Sequence, residues 1–186
     1  MALKDTEQNW GTVTKLLHWS VAALILALMA LGWLARLAPL APSKITLFYW
    51  HKSLGMLVLV LVLLRLGWRL FNRPPPLPGN LPRWEPVLAR LTHGLLYALI
   101  LLMPVSGWLL NSAAGIPFEI FWVLPLPPIS PVSARLENVF GLAHLALFSA
   151  LGALLIGHIG AALRHHFLLH NRVLVRMLPQ FSRTKR

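Results

Sequence analysis

Two histidines on one long apolar segment are the first residues whose type and spacing suggest chemistry. His144 and His158 lie fourteen residues apart within residues 138–166, where most other side chains are apolar or small. On an α-helix this spacing places both on one face, offset by about 40° and about 21 Å apart along the axis. In a hydrocarbon layer ~30 Å thick, one imidazole would lie towards each side. An imidazole at that depth is costly unless something binds it, so each is predicted to have a partner.

The composition places these histidines in a membrane protein. Of the 186 residues, 57% are hydrophobic and only 12% are charged, and the mean hydropathy is +0.67. This is typical of a small bundle of membrane helices and not of a soluble domain. The net charge of +12 does not indicate nucleic-acid binding, because the basic residues lie in loops between apolar spans. There they set the orientation of the chain and contact anionic lipid.

Four apolar segments are long enough to span a membrane and predict one all-α domain over residues 1–186. They cover about residues 16–37, 48–70, 88–112 and 138–163. The proline-rich residues 73–86 and 113–133 are predicted to be loops, because proline cannot continue a helix. In the second loop, Phe118, Phe121 and Trp122 are expected at the membrane surface.

Lysine and arginine predict the orientation. Only four of the 17 basic residues fall on one side of the predicted spans, namely Arg36, Lys44, Lys52 and Arg135. The other side holds the remaining thirteen together with both termini. Since cytoplasmic loops are enriched in basic residues, both termini are predicted to face the cytoplasm.

With this topology the histidines in the spans form two layers. The outer layer contains only His51 and His144, and the inner layer contains His158 with either His18 or His93. Two haems stacked across the membrane, each held by two histidines, fit this arrangement. Cysteine is absent, which excludes covalent haem attachment and indicates b-type haem. Filling both axial positions of each iron favours electron transfer over oxygen binding.

Several charged or titratable residues lie near these layers. Three basic residues are candidates to contact haem propionates, because each shares a helix face with a predicted ligand or lies next to one: Lys15, Lys52 and Arg65. Each also fits a second interpretation, an interfacial charge whose aliphatic stem lies along the apolar surface. His165 lies seven residues beyond His158 on the same face. It is either an ordinary interfacial residue or a residue that exchanges protons with a bound quinone.

Several motifs resemble the bacterial cytochrome b561 family, and the resemblance covers nearly the whole chain. They are His18-Trp19; His51-x-x-x-Gly55 with Arg65 and Arg69; His93 with Leu102-Met103-Pro104-Val105-x-Gly107; and His144 and His158 followed by His165-His166-x-x-x-x-Asn171 and Arg176-Met177-Leu178-Pro179. The resemblance implies a four-helix bundle in the bacterial inner membrane that encloses two haems b.

The same resemblance implies the ligand pairs and the reaction. It pairs His18 with His158 at the inner haem and His51 with His144 at the outer haem, leaving His93 unligated near a quinone site. The most similar group is the stand-alone superoxide oxidases. Their activity implies that superoxide gives an electron to the outer haem and that the inner haem reduces ubiquinone, with His93 or His165 assisting protonation.

Two alternative functions remain open at this stage. One keeps the haems but makes the chain a quinone-linked electron-transfer subunit for a periplasmic dehydrogenase or other redox partner. The other is a metal or ion transporter that uses the intramembrane histidines. Such carriers usually need carboxylates at depth, whereas the five acids are predicted to lie outside the spans: Asp5, Glu7, Glu85, Glu119 and Glu137.

Overall fold

The structure is a computed structural model, and it describes residues 2–72, 74–76 and 81–179. Four helices in it are long and apolar enough to cross a membrane, which confirms the predicted four-helix membrane fold. They are α1 (Thr12–Leu37), α2 (Pro42–Phe71), α3 (Trp84–Ala113) and α4 (Ala134–Phe167). A short helix, α5 (Val173–Met177), follows them.

Each long helix extends beyond the predicted apolar span at one end or both. The difference matters most at α3, which begins at Trp84 and includes Glu85 and Pro86, both predicted to lie in a loop. Proline is tolerated in the first turn of a helix, where its missing N–H would be unpaired anyway. The rest of the predicted loop lies partly outside the described residues. Glu137 likewise lies in the first turn of α4, so two of the five acids belong to helices after all.

The helices pack in sequence order, α1 on α2, α2 on α3 and α3 on α4. An even number of spans brings the segment before α1 and the segment after α4 to the same end of the bundle, where Arg176 Nη2 donates to the Glu7 carbonyl at 3.1 Å. We call this the inner end, and the opposite end the outer end. The side chains facing away from the bundle are largely apolar, as at Ile156, which is 75% exposed, so they suit contact with lipid.

The buried apolar core lies between the two histidine layers. Leu151 of α4 is 4% exposed and lies seven residues from both His144 and His158. It is therefore about 10.5 Å along the axis from each. The same cluster includes residues from the other three long helices: Val21, Ile25, Val58, Val62, Leu96 and Ile100. This core separates the two layers and sets the distance between them.

The predicted outer loop contains a small antiparallel hairpin, β1 (Phe118–Ile120) and β2 (Leu124–Leu126). Its turn places Phe121 and Trp122 at φ values of 49° and 57°, a left-handed conformation that is uncommon for bulky residues. Of the aromatic residues expected at the membrane surface, Phe118 is in fact buried at 6% exposure, because it packs against Tyr49 and Lys52 of α2, whereas Trp122 is 54% exposed.

Candidate functional site

The hairpin is attached to α2 at His51. Tyr49 and Ser53, each two residues from His51, both bind the turn. The Tyr49 hydroxyl donates to the Glu119 carbonyl and accepts from the Trp122 backbone N–H at 2.8 Å. Ser53 Oγ accepts from the Phe121 N–H at 3.1 Å. These bonds hold the strained turn over the outer histidine layer.

In the outer layer, the structure brings His51 of α2 and His144 of α4 together. Their ring centroids are 6.3 Å apart and their planes are inclined by 76°. Each ring also lies against a glycine of a neighbouring helix. A Cβ built on Gly32 would lie 2.9 Å from His51 Cε1, and one built on Gly107 would lie 3.3 Å from His144 Cε1. Both positions therefore need the small residue for the imidazole to occupy its observed place.

Ser106 fixes the orientation of the His144 ring. Its hydroxyl donates to the Met103 carbonyl at 2.8 Å and lies 2.8 Å from His144 Nδ1. Because a serine has a single hydroxyl proton, Nδ1 must be the donor in the second bond. The lone pair of the neutral imidazole is then on Nε2, the nitrogen left free to bind a metal.

The inner layer contains three neighbouring histidines. The ring centroid of His158 lies 6.4 Å from that of His18 and 5.4 Å from that of His93, with interplanar angles of 67° and 74°. The sequence left both His18 and His93 as possible partners of His158. The structure brings both close to it, at different distances.

These distances can be compared with what an iron between two imidazoles requires. A metal–imidazole bond of about 2.0 Å, added to about 1.1 Å from nitrogen to ring centre, would put two imidazoles on opposite sides of one metal about 6.2 Å apart. The outer pair and the His18–His158 pair fit this value, and the His93–His158 pair is too close. In both fitting pairs one ring has a buried Nδ1 without a hydrogen-bond partner among the described residues, in His18 and in His51. Both pairs therefore fit an iron ligand set.

The three candidate propionate contacts have different surroundings. Lys15 is buried at 9% exposure, three residues before His18. The Arg65 guanidinium lies over the Tyr97 ring, 5.5 Å from its centroid. Lys52 Nζ donates to Asn111 Oδ1 at 2.9 Å and lies 5.0 Å from the centre of the Phe118 ring, so it is held beneath the outer hairpin.

His165 lies in a polar cluster at the inner end that includes a buried carboxylate. Glu85 Oε1 accepts from Arg164 Nη1 at 3.0 Å, and Glu85 Oε2 lies 3.6 Å from His165 Nε2. Asn171 Nδ2 lies 2.7 Å from His165 Nδ1 on the other side of the ring. The spacing between His165 and Asn171 in the motif thus allows these two side chains to form a hydrogen bond.

Sequence reasoning missed four residues of these sites: Gly32, Ser106, Gly107 in its packing role, and Glu85. The sequence offers other glycines, close to the ligands on the same helices, at 55, 141, 157 and 160. However, at Gly55, Gly157 and Gly160 no atom lies within 4 Å of a built Cβ. Ser106 is the unspecified position of the α3 motif, and its place between Met103 and Gly107 is the only signal for it.

Comparisons with known proteins identify the family of the chain. Residues 9–180 match the family model described as Prokaryotic cytochrome b561. "Cytochrome b561 homolog 2" of Escherichia coli K12 is 29% identical over 192 residues, covering 98% of this chain and 97% of that protein. "Cytochrome b561 homolog 1" of the same organism is 31% identical over 134 residues, covering 70% and 73%.

A third relative carries a more specific name. "Probable superoxide oxidase CybB" of Yersinia pestis is 28% identical over 171 residues, covering 88% of this chain and 92% of that protein. The family match confirms the resemblance seen in the motifs and implies b-type haem. The chain therefore belongs to the prokaryotic cytochrome b561 family, whose members are multi-pass membrane proteins of electron transfer.

Proposed function

We propose that this protein is an oxidoreductase that holds two haems b and passes electrons from periplasmic superoxide to ubiquinone. His51 and His144 would hold the outer haem, and His18 and His158 the inner one. The proposal rests on one observation. Two histidine pairs at opposite ends of the bundle have nearly the same distance between their ring centroids, 6.3 Å in the outer pair and 6.4 Å in the inner pair. The protein would lie in the bacterial inner membrane with both termini in the cytoplasm, as the distribution of basic residues indicates.

The choice of His18 over His93 is supported by distance. Two imidazoles bound to one iron would need ring centroids about 6.2 Å apart, given metal–nitrogen bonds of about 2 Å. His93 lies 5.4 Å from His158, which is short of that separation. His93, in the same layer as His18 and His158, is then free to act at the quinone.

When bound, the haems supply one-electron transfer along the bundle axis. The residues of this chain bind and orient them. Ser106 holds His144 with Nε2 available, and Gly32 leaves space for His51. Lys15 and Arg65, both in the inner half, are suited to pair with propionates there, because a buried cation needs an anionic partner.

Superoxide is an anion, and basic residues at the outer end favour its approach. Lys52 lies next to His51 in the chain, and Arg135 is exposed at the start of α4. A positive potential raises the encounter rate of an anion and weakens as salt screens it. The reaction balances as two superoxide ions, one quinone and two protons giving two oxygen molecules and one quinol. No atom other than the protons is transferred.

One observation favours the alternative of an electron-transfer subunit. The tip of the outer hairpin exposes apolar side chains, with Trp122 at 54%, Val123 at 82% and Leu124 at 58% exposure. An exposed apolar patch of this kind marks contact with either lipid or a protein partner. A periplasmic redox protein bound there would be close to the outer histidine pair.

Superoxide generated by pulse radiolysis tests the proposal directly. Purified protein in lipid nanodiscs should show rapid haem reduction after each pulse, followed by reoxidation when ubiquinone is present. Superoxide dismutase added before the pulse is the control and should abolish the signal. If superoxide leaves the haems oxidised while a periplasmic redox protein reduces them, the electron-transfer subunit is the correct function.

A further inference from the structure

Glu85 is buried at the inner end of the bundle, and within the described part of the chain only one of its two oxygens is hydrogen-bonded. Its side chain is 6% exposed, and Oε1 accepts from Arg164 Nη1 at 3.0 Å. Oε2 is also buried but has no hydrogen-bond partner among the described residues. A buried carboxylate oxygen without a donor is costly. Oε2 is therefore an acceptor that a ligand can satisfy.

The Nε2 of His165 lies near that oxygen and carries a proton, as the contacts of Asn171 show. Asn171 Oδ1 accepts from the Val173 N–H at 3.2 Å, so the amide NH₂ of Asn171 must face His165. This NH₂ donates to His165 Nδ1 at 2.7 Å. Since Nδ1 accepts, the proton of the neutral ring is on Nε2. Nε2 lies 3.6 Å from Glu85 Oε2, beyond hydrogen-bond distance.

One donor and one acceptor thus lie side by side without bonding to each other. A ligand group that satisfies both must accept one hydrogen bond and donate another. A hydroxyl does both, whereas a carbonyl can only accept. A quinone oxygen is a carbonyl in the oxidised form and a hydroxyl in the reduced form.

We propose that Glu85 and His165 bind one oxygen of the quinone head group and that Glu85 makes the site prefer the reduced form. This deepens the proposed function and rests on it. His165 Nε2–H donates to the oxygen in both forms, and Glu85 Oε2 accepts only from the hydroxyl. On reduction the head group takes up two electrons, supplied by two superoxide ions, and two protons from water. One new O–H bond forms at this oxygen and one at the opposite oxygen.

The position of Glu85 and His165 suits the binding of a quinone head group. His165 lies seven residues beyond His158 on α4, about 10.5 Å along the axis and on the same face. The neighbouring surface is apolar and open, with Trp84 56%, Leu88 53% and Phe167 63% exposed. An isoprenoid tail can therefore leave the site directly into lipid.

The variant Glu85→Gln tests the preference for the reduced form. The amide keeps the size of the side chain, and its oxygen can still accept from Arg164, while its NH₂ replaces Oε2. Short-chain ubiquinone and ubiquinol are titrated separately against the haem-loaded protein. Ubiquinol should bind at least about tenfold more weakly than to the unmodified protein, because a hydrogen bond to a charged acceptor is lost. Ubiquinone binding should not weaken, since the His165 donor remains and the new amide NH₂ can also donate to a carbonyl oxygen.

Two further variants complete the test. Glu137→Gln, in the first turn of α4 at the outer end, should bind both forms normally. His165→Phe leaves the Glu85–Arg164 pair intact and should weaken the binding of both ubiquinone and ubiquinol. Equal weakening of quinone and quinol in Glu85→Gln, or no change in either, would contradict the inference. A lack of quinone binding and reduction by the unmodified protein would instead refute the proposed function together with it.

Discussion

Replacing Gly32 with alanine should remove the outer haem selectively. The new Cβ would lie 2.9 Å from His51 Cε1, closer than Cβ atoms approach other heavy atoms, so the ring must move by roughly half an ångström. Metal sites tolerate ligand displacements of only about 0.2 Å. Overpacking of this kind typically costs about 1–3 kcal/mol, which corresponds to outer-haem binding about 5- to 150-fold weaker.

The pyridine haemochrome assay measures this as a haem-to-protein ratio falling from two towards one. Gly107→Ala, whose Cβ would lie 3.3 Å from His144 Cε1, should show a smaller loss. Gly67→Ala is the matched control, because no atom lies within 4 Å of its built Cβ and it has the same gain in helix propensity. Two tightly bound haems with unchanged redox potentials in Gly32→Ala would refute the assigned role of His51.

Further variants probe the remaining parts of the site. His93→Ala should keep both haems and slow quinone reduction, whereas His18→Ala should lose the inner haem; the opposite result in haem analysis would reverse the ligand assignment. Ser106→Ala should raise the midpoint potential of the outer haem in a redox titration, because the His144 ring loses the acceptor of its Nδ1–H and becomes less basic. Ser106→Thr keeps a hydroxyl and should have the potential of the unmodified protein. Equal potentials in all three proteins would contradict the role of Ser106. A Lys52→Glu, Arg135→Glu double variant should slow superoxide-driven reduction and abolish its decrease with ionic strength, whereas an unchanged salt dependence would exclude steering by these residues.

Much of the fold follows from the sequence because membrane spans are long and uniformly apolar. The four helices were predicted, and the structure extends their ends. At α3 the extension includes Glu85, which the sequence assigned to a loop because Pro86 was taken as a break. A proline in the first turn breaks no helical hydrogen bond, so its presence does not locate the helix start.

The outer hairpin could not be predicted, because its turn depends on contacts from a distant part of the chain. The left-handed Phe121 and Trp122 have their backbone N–H groups bound by Ser53 and Tyr49, about 70 residues earlier. Nothing local in the turn favours that conformation. Only the packed structure supplies the two acceptors.

For the candidate site, sequence gives depth along a helix but not distance across the bundle. His51 and His144 were predicted as a pair because no other histidine shares their layer, and the structure brings them together. His18 and His93 both lie in the inner part of their helices at the same depth, so depth alone does not choose between them. The separations of 6.4 Å and 5.4 Å from His158 distinguish them, and these depend on how the helices pack. Ligation by either pair stays a prediction.

The most direct test of the central claim is the haem stoichiometry of the protein, measured beside His144→Ala and His158→Ala. The account predicts two haems b per chain in the unmodified protein and one in each variant. The low-temperature spectra of the two variants should differ, because each retains the haem of the opposite layer. A single haem in the unmodified protein, or loss of the same haem in both variants, would contradict the two-layer site.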